Sequence, residues 1–276
     1  MADQDTRMGG NRWAPGRTEW PTLPRPGLVR AEWVKMWSLR SSAWTLGATV
    51  AAAVGLALLL AASSRDHTSV DGRFDPLFYS FYGLTLAQLA LVVFTIMVVA
   101  GEYSTGTIRP SLAALPRRGH FYAAKIAATV PILVATSLVA ALGGFAAAQA
   151  ALGSRGVSIT TPGSGRAIVG ATLYLVLISM FAFGVAMMLR STVRALAILL
   201  PMLFLGSQGL GNMPGLRPVT QFLPDQAGLL IMHIVGSPDD PAFARAYGPW
   251  AGMAILTAWT CIAVVGGWLV LRRTDV

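Results

Sequence analysis

Residues able to do chemistry are few in this chain, and their spacing suits little of it. His67, His120 and His233 lie far apart, and none has a metal-ligand neighbour at useful spacing, so no metal site is expected. The single cysteine, Cys261, lies in an apolar stretch; it excludes a disulfide framework or a cysteine-based cluster and is expected to be a small buried hydrophobe. No Gly-x-Ser-x-Gly nucleophile elbow occurs. Gly101 and Gly106 have the spacing of a phosphate-binding loop, but Thr107 stands where that loop needs lysine. The chemistry left to this stretch is recognition. Ser104 and Thr105 could cap a short helix in which Ile108, Leu112 and Leu115 form an apolar stripe and Pro116 ends the run. Arg109 lies beside the stripe, and Arg117 and Arg118 sit at its end, where positive charge suits the helix dipole. An apolar stripe in an aqueous loop needs lipid headgroups or a protein to bury it.

The elements that must hold this loop follow from composition. Of 276 residues, 54% are hydrophobic and 12% charged, about half the charge of an average soluble domain. That excludes a soluble enzyme, a disordered chain and a fibrous repeat, and leaves an all-α integral membrane protein. A spanning helix needs about 20 apolar residues. Runs free of Asp, Glu, Lys and Arg reach that length six times, at 41–64, 76–100, 126–154, 167–189, 195–216 and 246–271. Six transmembrane helices are therefore expected over about 43–63, 77–100, 123–150, 167–189, 194–212 and 248–271. The run 226–238 is too short to cross and fits an interfacial or re-entrant helix.

Residues 1–27, rich in Pro, Gly and Arg, read as a disordered tail, and the first apolar run comes too late for a signal peptide. Over 28–40, Val29, Trp33, Met36 and Trp37 fall on one helical face among Arg30, Lys35 and Arg40, which suits an interfacial helix marked by Trp33 and Trp37. Residues 28–276 then form one membrane domain. With six spans, the side holding both termini collects fifteen of the 21 basic residues. Arg65, Arg73, Arg155, Arg166, Arg217 and Arg245 fall on the other. The positive-inside rule puts both termini in the cytoplasm of a plasma-membrane protein. The carboxylates divide equally, so the net +9 lies wholly inside, and nucleic acid is not needed to explain it.

The spans contain no carboxylate, lysine or arginine away from their ends, where Glu102 and Lys125 sit. Intramembrane charges usually mark proton relays or ion paths, so an ion-gradient carrier, a charged-filter channel and an acid–base enzyme are disfavoured. Gln88 and Gln208 are the most polar residues inside, each expected to bond a neighbouring helix. Small residues of the third span (Ser137, Ala140, Ala141, Gly143, Gly144) and of the sixth (Gly266, Gly267) allow close packing, and Pro131 and Pro201 could kink their helices.

With the Trp33/Trp37 helix and six spans, the string GEYSTGTIRPSLAALPRRGHFYAAK over 101–125 resembles ABC-2 type ABC-transporter permeases. It is most similar to actinobacterial subunits encoded apart from their ATPase. The resemblance implies an exporter subunit without catalysis of its own, for a lipophilic or amphiphilic substrate (a drug, lipid or hydrophobic peptide). It further implies two copies of an ABC ATPase as partners, which would bind ATP and Mg while this chain binds no cofactor. A second permease copy would complete a homodimer or heterodimer. The loop after span 2 would be the coupling helix docked on the ATPase, a role that falls on Glu102, Tyr103, Thr107, Ile108, Arg109, Leu112, Arg117 and Arg118. Short re-entrant helices between spans 5 and 6 are also implied. The other readings are an ion-gradient-driven secondary carrier and a membrane scaffold or intramembrane enzyme.

Overall fold

In hydrocarbon a backbone finds hydrogen-bond partners only within itself, so long apolar runs become helices. The computed structural model describes residues 25–38, 40–64, 74–108, 118–207, 213, 215–234 and 245–273, and all their regular structure is helical. In chain order these are α1 (Arg25–Ser38), α2 (Arg40–Ser63), α3 (Pro76–Phe81), α4 (Leu84–Ser104), α5 (Arg118–Leu152), α6 (Ser164–Leu189), α7 (Thr192–Ser207), α8 (Arg217–Thr220), α9 (Pro224–Leu229) and α10 (Pro249–Arg273), with 3₁₀ turns at Gly153–Arg155 and Leu230–Met232. The first helix starts at Arg25, inside the stretch expected as tail; the rest of that tail lies outside the described residues.

Among the described residues, five helices are long and apolar enough to cross a membrane: α2, α3 continued by α4, α5 extended by its 3₁₀ turn, α6 and α10. The chain is thus a multi-pass membrane protein. Within the expected fifth span the described helix is α7, with 16 residues, about 24 Å at 1.5 Å per residue; residues 208–212 of that span lie outside the described residues.

Burial sorts the spans. In the most apolar windows of α3–α4 and α6, 72% and 67% of residues are buried, against 28% in α2 and in α10. The α4–α6 pair is therefore the centre, with α2 and α5 packed on one side and α10 on the other. Small residues set the distances. A Cβ on Gly144 of α5 would lie 2.9 Å from the Ser80 carbonyl, and one on Gly184 of α6 would lie 2.2 Å from the Ala263 backbone of α10. Both helix crossings need the missing side chain. Helix α5 runs unbroken through Pro131 and α7 through Pro201. Tyr174 of α6 donates to Gln88 of α4 at 2.5 Å, which is the interhelical bond expected of Gln88. Gln208 lies outside the described residues. Cys261 is exposed on α10, not buried as expected. An apolar stretch in a membrane helix has an outward face as apolar as its inward one, so hydrophobic neighbours do not imply burial.

Candidate functional site

At the end of the bundle where α1 lies, three helices bring ionisable groups together. Glu32 and Lys35 are one turn apart on α1, Glu102 lies near the end of α4, and Lys125 lies two turns into α5. Lys125 Nζ donates to Glu32 Oε2 at 2.7 Å and to Glu102 Oε1 at 2.8 Å, and Lys35 also pairs with Glu102. The Lys125 and Glu102 side chains are 1% and 4% exposed. Two buried ions this close are tolerable only because each offsets the other's lost hydration. The Phe121 ring lies 5.2 Å from Lys125 Nζ and closes one side of the cluster. Met36, 3% exposed, accepts from Thr129 of α5 at 3.8 Å. These contacts fix α1 onto α4 and α5.

The expected coupling residues divide. Glu102 is committed to the ion cluster and does not face the aqueous phase. Tyr103 is half-buried, with the Arg190 guanidinium 5.7 Å from its ring. The Thr105 hydroxyl donates to the Gly101 carbonyl at 2.9 Å, and that of Ser104 to the Ala100 carbonyl at 3.0 Å. Both serve the end of α4 and not the start of a following helix, because the orphan carbonyls of α4 are the nearer acceptors. Gly106, at φ +72°, then turns the chain. Thr107 is exposed. Ile108 is 3% exposed within the main core, so it is not part of an open stripe. Burying it in that core relieves the chain of a stripe residue in water. Arg118 donates to the carbonyls of Leu271 and Arg272 at 3.0 and 3.4 Å. Its charge thus serves a helix C-terminus, as expected, but that of α10 and not that of the loop. Arg109, Leu112 and Arg117 lie outside the described residues. The Ser104 hydroxyl also meets that of Thr192 at 2.9 Å, tying the end of α4 to the start of α7.

The interfacial helix splits its expected face. Trp33 and Trp37 are 38% and 53% exposed with ring centroids 6.3 Å apart, while Met36 points into the protein. The two tryptophans point outward at the level of the ion cluster, where amphipathic rings suit a bilayer interface.

A second polar group lies at the opposite end, where sequence reasoning placed no buried charge. Helix α9 and the following 3₁₀ turn are almost wholly buried, including Asp225 and Gln226. Gln226 Nε2 donates to the Gly206 carbonyl at 2.7 Å and to Asp225 Oδ2 at 3.1 Å. Asp225 Oδ1 has no hydrogen-bond donor among the described residues, and burial pushes the carboxyl up to about 6. This buried helix begins two residues before the run 226–238 that was expected to form an interfacial or re-entrant helix; residues 235–244 lie outside the described residues. Nearby, His233 Nδ1 meets Asp75 Oδ2 at 2.9 Å while Asp75 Oδ1 caps α3 by accepting from the Leu77 amide at 2.9 Å. Burial raises the Asp75 carboxyl, but the His233 ring and the Leu77 and Phe78 amides outweigh it and hold it below its ordinary value.

Two signals could have found the ion cluster. Glu32 and Lys35 share a face of α1, and the lone ionisable residues at facing span ends are Glu102 and Lys125. Among the described residues, no group of three His, Cys, Asp or Glu side chains could hold a metal ion. A family model described as "Protein of unknown function (DUF2705)" matches residues 56–276, and the chain belongs to that family. No curated protein matches the chain.

Proposed function

We propose that this member of a family of unknown function is the membrane subunit of an ATP-driven ABC-2 type exporter. It forms the path for a lipophilic or amphiphilic substrate and takes its energy from two copies of a separate ATPase. A second permease copy faces it in the plasma membrane, both termini are cytoplasmic, and residues 194–212 form the fifth of six spans. The observation that carries this reading is the ion cluster. It joins α1, α4 and α5 immediately before and after the 105–117 loop, while Ile108 roots the loop in the core. A push on such a loop moves two spans together instead of being lost in a hinge. Exposed Thr107 with Leu112 and Arg117 then meet the ATPase, and ATP binding shifts the permease between two states it favours unequally.

The test is purification of the tagged chain from its native membrane. An ATPase is expected to accompany it and to be lost with Leu112→Asp or Arg117→Glu while the chain stays monodisperse. A native complex without ATPase, transporting in ATP-depleted vesicles, refutes the reading. One observation favours a gradient-driven carrier instead: Asp225 is a buried carboxyl near neutrality, the kind of group a proton-coupled cycle uses. That reading predicts uptake driven by a pH gradient and abolished by Asp225→Asn.

A further inference from the structure

The ion cluster borders a cavity of about 470 Å³, a volume within the range of small-molecule sites. Met36, Met97 and Val98 contribute apolar lining, and Ser41, Thr105 and Thr192 contribute hydroxyls. One oxygen of Glu102 carries its whole share of the cluster. Oε1 accepts from Lys35 and from Lys125, while the buried Oε2 has no donor among the described residues. The two lysines are unequal partners. Lys125 is enclosed and held by Glu32 as well. Lys35 is 38% exposed, so its ammonium trades a carboxylate for water at small cost. Lys35 is itself an ammonium on four methylenes, and its position records what Glu102 accepts at the mouth of this cavity.

We infer that the cavity binds amphiphiles carrying a primary ammonium. The ligand's head takes the place of Lys35 on Glu102, reaching Oε2 once that side chain has swung out, and its tail lies on Met36, Met97 and Val98. A primary ammonium brings three N–H donors, enough for a carboxylate oxygen and the adjoining hydroxyls. A trimethylammonium head has none and leaves Oε2 unmatched. The site is independent of the transport reading, since binding requires neither an ATPase nor net movement of cargo.

The probe is a diazirine-bearing dodecylamine, cross-linked to the full chain in phosphatidylcholine nanodiscs and mapped by peptide mass spectrometry. Labelling is expected at 36 and 97–98, with dodecylamine competing at least tenfold better than dodecyltrimethylammonium. Lys35→Ala removes the internal competitor and raises labelling several-fold, a gain that misfolding does not produce. Met97→Trp fills the cavity, leaves the ions in place and lowers labelling about tenfold, as does Glu102→Gln. Adding phosphatidylethanolamine separates the sources: competition with the probe identifies the aminolipid headgroup as occupant, and its absence identifies free amines. Equal competition by the trimethylammonium homologue overturns the inference, as does labelling that Lys35→Ala leaves unchanged or lowers.

Discussion

Asp225→Asn is the sharpest probe of the buried polar group at the far end. The carboxyl follows Pro224 in the first turn of α9, fully enclosed, with one oxygen bonded to Gln226 and the other unmatched among the described residues. Its pKa rises from 3.8 unfolded to about 6 folded. Between those values the native state holds the proton more tightly, so stability falls as pH rises from about 4 to 6, and the penalty is complete above 6. At 1.36 kcal/mol per pH unit, the charged form costs about 3 kcal/mol. The amide introduced by the substitution keeps the shape without the charge. The variant should therefore be more stable than the parent above pH 6, by up to about 3 kcal/mol, and equal to it near pH 4. Thermal unfolding of the detergent-solubilised chain between pH 4 and 8 measures both curves. A wild-type profile that is flat or rising over pH 4–6, or a variant less stable at pH 7, refutes the burial argument.

Three further outcomes follow from single contacts. Lys125→Met leaves Glu32 and Glu102 without their shared cation and should cost about 3–5 kcal/mol; replacing both carboxylates by Gln in the same chain should recover much of it, as read by unfolding temperature. Gly184→Val drives a side chain into the Ala263 backbone of α10; overpacking of about 1–3 kcal/mol or more is expected, seen as lost monodisperse yield in size-exclusion chromatography. Asp75→Ala removes the α3 cap and the His233 partner and should cost about 1 kcal/mol at neutral pH. Because the folded Asp75 pKa lies below 3.8, its contribution is present above that value and lost as pH falls through the lower folded one. The difference between Asp75→Ala and wild type should therefore close in strong acid.

How much of this was legible varies with the kind of signal. The interhelical bond of Gln88 was readable because a polar group in hydrocarbon has few choices but a neighbouring helix. The small residues at 143, 144, 266 and 267 do meet close backbones or side chains of adjacent helices. Burial on a given side was not readable. Met36 and Trp37 are adjacent in sequence and both apolar, yet one faces α5 and the other faces outward. Ile108 belonged to a periodic stripe that reads equally well as a docking face or a core contact. Arg118 sits where the charge suits a helix end, but the helix end it serves is that of α10, far along the chain.

Composition and periodicity by themselves determined that this chain is helical, that it crosses a membrane several times and that it lacks a metal-ligand motif. Those properties follow from local transfer free energies and backbone self-satisfaction, which each segment feels alone. Only the tertiary structure decided that Glu32, Lys35, Glu102 and Lys125 form one cluster, and that Asp225 belongs to a buried helix and not to an external loop. Sequence separation carries no information about which helix ends meet. A charge counted in a loop is solvated or enclosed according to what packs over it, and that is a property of the assembled bundle.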